Sequence, residues 1–214
     1  MKILIFGSTG MLGHTLIKYL QTKDILDVEF TARDNTKQGT CRRIFGKEAK
    51  FIFNAENPDS AFKAIKEYKP DFCINCLGLI KQTQNSNNYV EFIKVNSLIP
   101  HLLSKFCEEN NSRLIHISTD GVFSGRKGNY KEIDIPDPLD FYAKSKLLGE
   151  VSNSNALTIR TSIIGPEINT SKGLLEWFKS CKEVVHGYSN VWFSGLPTIE
   201  LSRIILKFII KKNI

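Results

Sequence analysis

The run Lys2-Ile-Leu-Ile-Phe6 is apolar from residue 3 and stops at Gly7-Ser-Thr-Gly-Met-Leu-Gly13, after which apolar residues recur at helical spacing through Leu12, Leu16, Ile17 and Leu20. A short extended run that is apolar on both faces reads as a strand buried on both sides. The switch to a 3.6-residue period then marks a strand, a tight turn and a helix in immediate succession. Glycines let the backbone turn sharply and lie close to a ligand, and a helix N-terminus offers free N–H groups with a partial positive charge, which suits a pyrophosphate. No Gly-Lys-Ser/Thr follows, so the nucleoside-triphosphate P-loop is excluded. Gly7, Thr9, Gly10, Met11, Leu12 and Gly13 are therefore the candidate cradle for a dinucleotide.

The alternation continues along the chain. Val28–Ala32, Phe51–Phe53, 71–77, 113–118 and 157–164 read as further strands. Between them lie a helix opened by Asn57-Pro58 and closed at Lys69-Pro70, a long helix over about 89–109 in which Pro100 predicts a kink, and a helix over 141–151. Apolar strands separated by helices imply a parallel sheet covered on both faces, an α/β doubly wound fold. With 214 residues and 42% hydrophobic content, the chain is long enough for one large core. That core is expected over residues 1–164. Residues 165–214 are expected to form a small substrate-side lobe, with amphipathic helices over 171–183 and 200–211. Ile204, Ile205, Phe208 and Ile209 make the stripe of the second, expected to pack on the sheet. Trp192 and Phe193 are expected in a small core, with stacking on a sugar or base as the alternative.

Several function classes lose support on composition. The five cysteines are scattered and odd in number, which argues against a disulfide framework, and the four histidines show no metal spacing. No metal is expected. The net charge of +7 favours anionic partners, but the lysines are spread along the chain rather than clustered, so a phosphate-bearing small molecule is preferred to nucleic acid. No apolar run approaches the roughly 20 residues of a membrane span, and the N-terminal run is too short for a signal peptide. A cytoplasmic protein is expected.

In doubly wound sheets, ligands lie beyond the carboxyl ends of the strands. The second strand ends in Ala32-Arg33-Asp34, where an arginine suits the 2′-phosphate of NADP and an acid suits the ribose of NAD. Arg33, and with it NADPH, is favoured. Asn54 and Ala55 end the third strand, where an amide can meet adenine; Cys76, Leu77 and Gly78 end the fourth, leading to Lys81. The fifth ends in Ser118-Thr-Asp-Gly-Val-Phe123, shortly before Tyr142 and Lys146, which stand one helical turn apart on one face. An ammonium beside a phenol favours the phenolate and is expected to bring its pKa towards neutrality. Tyr19 and Lys23 repeat the spacing, but on the first helix and away from the sheet's carboxyl edge.

Gly-x-x-Gly-x-x-Gly after the first strand, Ser-Thr-Asp-x-Val-Phe after the fifth and Tyr-x-x-x-Lys-x-x-Gly-Glu on the next helix resemble the extended short-chain dehydrogenase/reductase superfamily. Within it they resemble the dTDP-4-dehydrorhamnose reductase group, which Leu157-Thr-Ile-Arg-Thr-Ser162 and Gly195-Leu-Pro-Thr198 also fit. The resemblance implies a Rossmann core, Thr119, Tyr142 and Lys146 as catalytic triad, and NADPH reduction of a 4-keto nucleotide sugar in cell-surface polysaccharide biosynthesis. Lys81, Asp120, Val122 and Trp192 are the implied substrate contacts, and a homodimer is among the implied states. Asn96 falls where the superfamily has a helix asparagine. The sequence departs from the group at Gly121, where a substrate-facing tyrosine is common, and at Asn54, where an aspartate is common. It also ends at Ile214, where members usually continue by several tens of residues, so the substrate-side lobe is expected to be truncated. An epimerase or dehydratase of the same superfamily, which retains its cofactor, and a non-catalytic dinucleotide-binding regulatory subunit are the alternatives.

Overall fold

The computed structural model describes residues 1–80, 88–168, 171 and 173–211. Its centre is a six-stranded sheet in the order β3-β2-β1-β4-β5-β6, every pair parallel. The strands are β1 (Lys2–Phe6), β2 (Asp27–Ala32), β3 (Phe51–Ile52), β4 (Phe72–Asn75), β5 (Arg113–Ile117) and β6 (Ala156–Ile159). This is the Rossmann strand order, and it reverses direction between β1 and β4, where a crevice opens at the carboxyl edge. Alternate side chains of each strand feed two cores. Ile3, Ile5, Ile74, Ile115 and Ile117 pack on one side with α1 (Met11–Gln21) and α8 (Thr198–Lys211). Leu4, Phe6, Cys73 and Leu114 pack on the other with α3 (Asp59–Tyr68) and α5 (Ile99–Glu109).

Four differences from the sequence reading have physical causes. A helix absent from it, α2 (Gln38–Phe45), joins β2 to β3. Its only fully buried residue is Cys41, so its apolar pattern is too sparse to announce it. Phe45 against Phe30, with ring centroids 4.6 Å apart, anchors it, and Gly46 at φ 72° closes it. The long helix is α4 (Tyr89–Phe92), a wide turn over Ile93–Leu98, and α5. Before Pro100 the turn widens, because proline has no N–H for the Asn96 carbonyl and its ring crowds that oxygen. The sixth strand stops at Ile159; Ile163–Ile164 is a separate strand, β7, paired in parallel with β8 (Leu196–Pro197). Arg160 divides the two because its guanidinium turns to Glu150.

The fourth difference concerns the C-terminal region. Leu201, Ile205, Leu206 and Ile209 of α8 share one core with Leu12, Leu16, Ile17 and Leu20 of α1, while Ile204 and Phe208 of the expected stripe are only half-buried. Helix α8 is thereby tied to the first helix of the sheet as well as to the sheet. By contrast, α7 (Leu174–Ser180) buries no residue, and Trp192 and Phe193 are 98% and 54% exposed. The expected small core around those two aromatics does not form among the described residues, because no described element covers them. Among the described residues, no helix is long and apolar enough to cross a membrane, and no group of three or more His, Cys, Asp or Glu side chains is placed to hold a metal ion.

Candidate active site

The glycine turn is built as its spacing requires. Gly7 has φ +87°, and a β-carbon on it would lie 2.9 Å from the Cys76 carbonyl carbon; one on Gly13 would lie 2.1 Å from the Gly7 oxygen. Only glycine lets β1, β4 and α1 approach this closely. Gly10 is the N-cap of α1 and makes no side-chain capping bond, which leaves the first turn's N–H groups facing the crevice mouth with the positive end of an 11-residue helix. Ser8, which the sequence reading passed over, donates to the Thr31 carbonyl at 2.7 Å and ties the turn to β2. Its place between two motif glycines was the available signal.

At the end of β2, the two charged candidates part. The Asp34 carboxylate accepts from the Thr36 backbone N–H at 2.8 Å and from its hydroxyl, capping the short helical turn Asn35–Lys37. Arg33 is exposed. Asn54 is exposed, with its Oδ1 accepting from the Glu56 N–H at 3.0 Å. Beyond β4, a β-carbon on Gly78 would sit 3.9 Å from the Lys146 ammonium and 3.8 Å from Asn96 Oδ1, so this loop runs directly over the lysine. Lys81 lies outside the described residues.

Helix α6 (Phe141–Leu148) starts where Asp140 accepts from the Ala143 N–H at 2.9 Å. Its Tyr142 phenol and the Thr119 hydroxyl are neighbours, close enough for the hydroxyl to act on the phenol's protonation. Thr119 also accepts from the Gly121 N–H at 3.1 Å, which holds its side chain at the end of β5. The phenol lies above its ordinary pKa: burial raises it most, the Thr119 hydroxyl lowers it, and Asp120 and Asp140 raise it further. This reverses the expected fall towards neutrality. The reason is visible in Lys146, whose buried ammonium donates to the Ile117 carbonyl at 2.7 Å, and whose pKa is lowered to about 8, chiefly by burial. The Glu150 carboxylate opposes that fall. The Cys76 thiol is pushed up to about 12 by burial, which keeps it protonated and inert.

A brace behind the site holds this geometry. Asn96, fully buried in the wide turn, accepts from the Leu79 N–H at 2.9 Å and donates to the Leu79 carbonyl at 3.1 Å and to Ser145 Oγ at 3.0 Å. It therefore ties the loop after β4 to α6, a positioning use of the asparagine. His116 accepts at Nδ1 from the Asn75 amide at 3.1 Å, and burial holds its pKa well below the usual histidine range. The decoy pair behaves differently. Lys23 lies 4.8 Å over the Tyr19 ring centroid on the far end of α1.

The family described as RmlD substrate binding domain matches residues 1–179. The chain belongs to this family. A dTDP-4-dehydrorhamnose reductase from Aggregatibacter actinomycetemcomitans is 31% identical over 169 residues, 75% of this chain and 51% of the relative. Methionine adenosyltransferase 2 subunit beta from Danio rerio is 30% identical over 70% of this chain and 42% of its own length. A crystal structure of a dTDP-4-dehydrorhamnose reductase from Clostridium acetobutylicum is 28% identical, covers 100% of this chain and 71% of its own, and superposes with a TM-score of 0.78. The chain thus spans about half the length of the first of these curated relatives.

Within the RmlD frame, the remaining candidates separate. Asp120 is half-buried beside Thr119 and accepts from Ser162 Oγ, so one of its oxygens is engaged. Val122 is fully buried, which turns its side chain away from any substrate; only its backbone serves, accepting from the Asp137 N–H at 3.0 Å. Trp192 stands exposed. Ser118 donates to Glu150 at 2.8 Å rather than facing the crevice. Glu150 and its partner Arg160 were missed by the sequence reading, although Glu150 repeats the four-residue spacing of Tyr142 and Lys146.

Proposed function

We propose that this RmlD-family chain is the cofactor-bearing part of an NADPH-dependent reductase acting on a 4-keto nucleotide sugar, in the making of cell-surface polysaccharide. The observation that carries it is the Thr119 hydroxyl beside a phenol that burial keeps protonated, with a lysine on the same helix face. The residues present suit the dinucleotide. The glycine cradle admits close backbone approach, the first turn of α1 has no side-chain cap, and Arg33 is exposed while Asp34 is engaged in its own turn. Gly7, Gly10 and Gly13 hold the pyrophosphate, with the N–H groups of Met11 and Leu12. Arg33 meets the 2′-phosphate, Asn54 and Ala55 lie at the adenine, and Cys76, Leu77 and Gly78 border the nicotinamide half.

Bound NADPH supplies the hydride for the carbonyl carbon. Tyr142 gives its proton to the carbonyl oxygen, and its raised pKa keeps that proton in place at neutral pH. Thr119 hydrogen-bonds where negative charge grows on that oxygen. Lys146 stands one turn along with its ammonium on the Ile117 carbonyl; it would hold the nicotinamide ribose when the cofactor is bound and would stabilise the phenolate left by proton transfer. Asp120, Lys81 and Trp192 are assigned to the sugar side.

The decisive experiment follows NADPH absorbance with dTDP-4-keto-6-deoxyhexose in the full natural protein, for wild type and Tyr142→Phe. Loss of absorbance in the wild type and its near-abolition in the variant support the reductase; no change with any 4-keto nucleotide sugar ends it. A regulatory subunit is the second reading, favoured by the similarity to methionine adenosyltransferase 2 subunit beta. It predicts cofactor binding without NADPH consumption. An epimerase instead predicts NAD that stays bound through purification.

A further inference from the structure

Glu150 stands four residues beyond Lys146, just past the end of α6, and its side chain is 13% exposed. Its carboxylate gathers three elements. Oε1 accepts from Ser118 at the carboxyl end of β5 at 2.8 Å, and Arg160, one residue past β6, donates from Nε to Oε1 at 2.9 Å and from Nη2 to Oε2 at 2.8 Å. The guanidinium is held in turn: its centre lies 5.1 Å from the Phe123 ring centroid, and Nη1 reaches the Glu132 carbonyl at 3.4 Å. Phe123 stacks on Tyr130 at 4.4 Å. A two-point Arg–carboxylate pair sets direction as well as attraction, so the carboxylate cannot swing away from Ser118. Ser118 is the residue before Thr119, and Gly149 before Glu150 closes the helix that carries Tyr142 and Lys146.

The groups around the Lys146 ammonium make the charge of Glu150 distinctive. Within electrostatic range of it are the Cys76 thiol from the end of β4, the His116 ring from β5 and Glu150, itself paired with Arg160, from its own helix end, while the Ile117 carbonyl of β5 accepts from it. His116 is in turn within range of His101 on α5. Burial keeps the thiol and the phenol protonated and the imidazole uncharged. Of these groups, Glu150 is the anion.

We propose that Glu150 is a positioning residue: clamped by Arg160, it holds Ser118 so that Thr119 meets Tyr142, and it keeps a fixed negative charge near the Lys146 ammonium. The proposal deepens the reductase reading and rests on it for its kinetic arm. The test uses wild type, Glu150→Gln and the double variant Glu150→Gln/Arg160→Gln, which leaves no unpaired half-buried guanidinium if the single variant folds poorly. In protein labelled with ¹³C-lysine, the Lys146 resonance, assigned by its loss in Lys146→Arg, is titrated. Its midpoint is expected to fall by about one unit in Glu150→Gln, as removal of a nearby fixed anion implies, and to fall less in the double variant, where a cation leaves with the anion. In the NADPH assay, kcat is expected to fall about tenfold, in the range of a misplaced proton donor. The alkaline limb of its pH profile moves down, while KM for NADPH changes less than about threefold. An unmoved lysine midpoint and an unmoved limb overturn the proposal. If wild type consumes no NADPH, the reductase reading fails and the lysine titration still decides the role of Glu150.

Discussion

The carbonyl oxygen of Asn96 lies 1.9 Å from where a β-carbon on Gly149 would sit, so the widened turn before α5 and the end of α6 meet backbone to backbone. Pro100 has no N–H for that carbonyl, and Gly149 has no side chain to keep it out. This contact, with Asn96 bonded to Ser145 Oγ and Ser97 Oγ donating to the Ser145 carbonyl at 2.7 Å, sets the depth at which Tyr142 and Lys146 stand over the sheet.

Gly149→Ala is therefore expected to displace α6 rather than merely fill space. Overpacking of this kind costs about 1–3 kcal/mol. Urea unfolding should show a lower midpoint at unchanged slope, together with weaker NADPH binding; a midpoint within about 0.3 kcal/mol of wild type contradicts the contact.

Tyr142→Phe removes the proposed proton donor and leaves the ring. General acid catalysis contributes about 10²- to 10⁴-fold, so kcat should fall by that factor while the Kd for NADPH stays within about threefold. Fluorescence titration with NADPH, run beside the rate assay, separates the two quantities.

Lys146 makes stability depend on pH in a fixed direction. Its pKa is about 8 in the fold against an ordinary 10.5, so between those values the unfolded chain binds more protons and stability rises with pH. The penalty for burying the charge, about 3 kcal/mol by the unit conversion, is fully present below pH 8 and relieved as pH climbs towards 10.5. Lys146→Met should accordingly gain stability relative to wild type at pH 7, and the gain should shrink by pH 10. Paired urea melts at the two pH values measure the difference; a gap that widens with pH refutes it.

Arg33→Ser tests the cofactor preference. A charge-assisted bond to a phosphate is worth about 1.5–3 kcal/mol, so affinity for NADPH should drop roughly 10- to 100-fold and that for NADH should hardly change. Equal losses for both cofactors would place Arg33 away from the 2′-phosphate.

The order of strands and helices was readable because apolar runs and glycine turns are local signals. The pairing of Tyr142 with Thr119 was readable because both lie at the carboxyl edge that the alternation itself defines. Helix α2 escaped notice because one buried cysteine and one phenylalanine make no period. Arg160 and Glu150 escaped because a salt bridge between the end of a strand and the end of a helix has no sequence spacing.

Periodicity and glycine placement in the chain alone determined a doubly wound sheet with a tight glycine turn between its first strand and first helix, since these depend on neighbours within one strand and one helix. Only the tertiary structure decided the protonation of the site. Burial raises the phenol and lowers the ammonium, against the local rule that a lysine one turn away acidifies a tyrosine. Desolvation depends on what the whole fold places over a group, and no four-residue spacing contains that information.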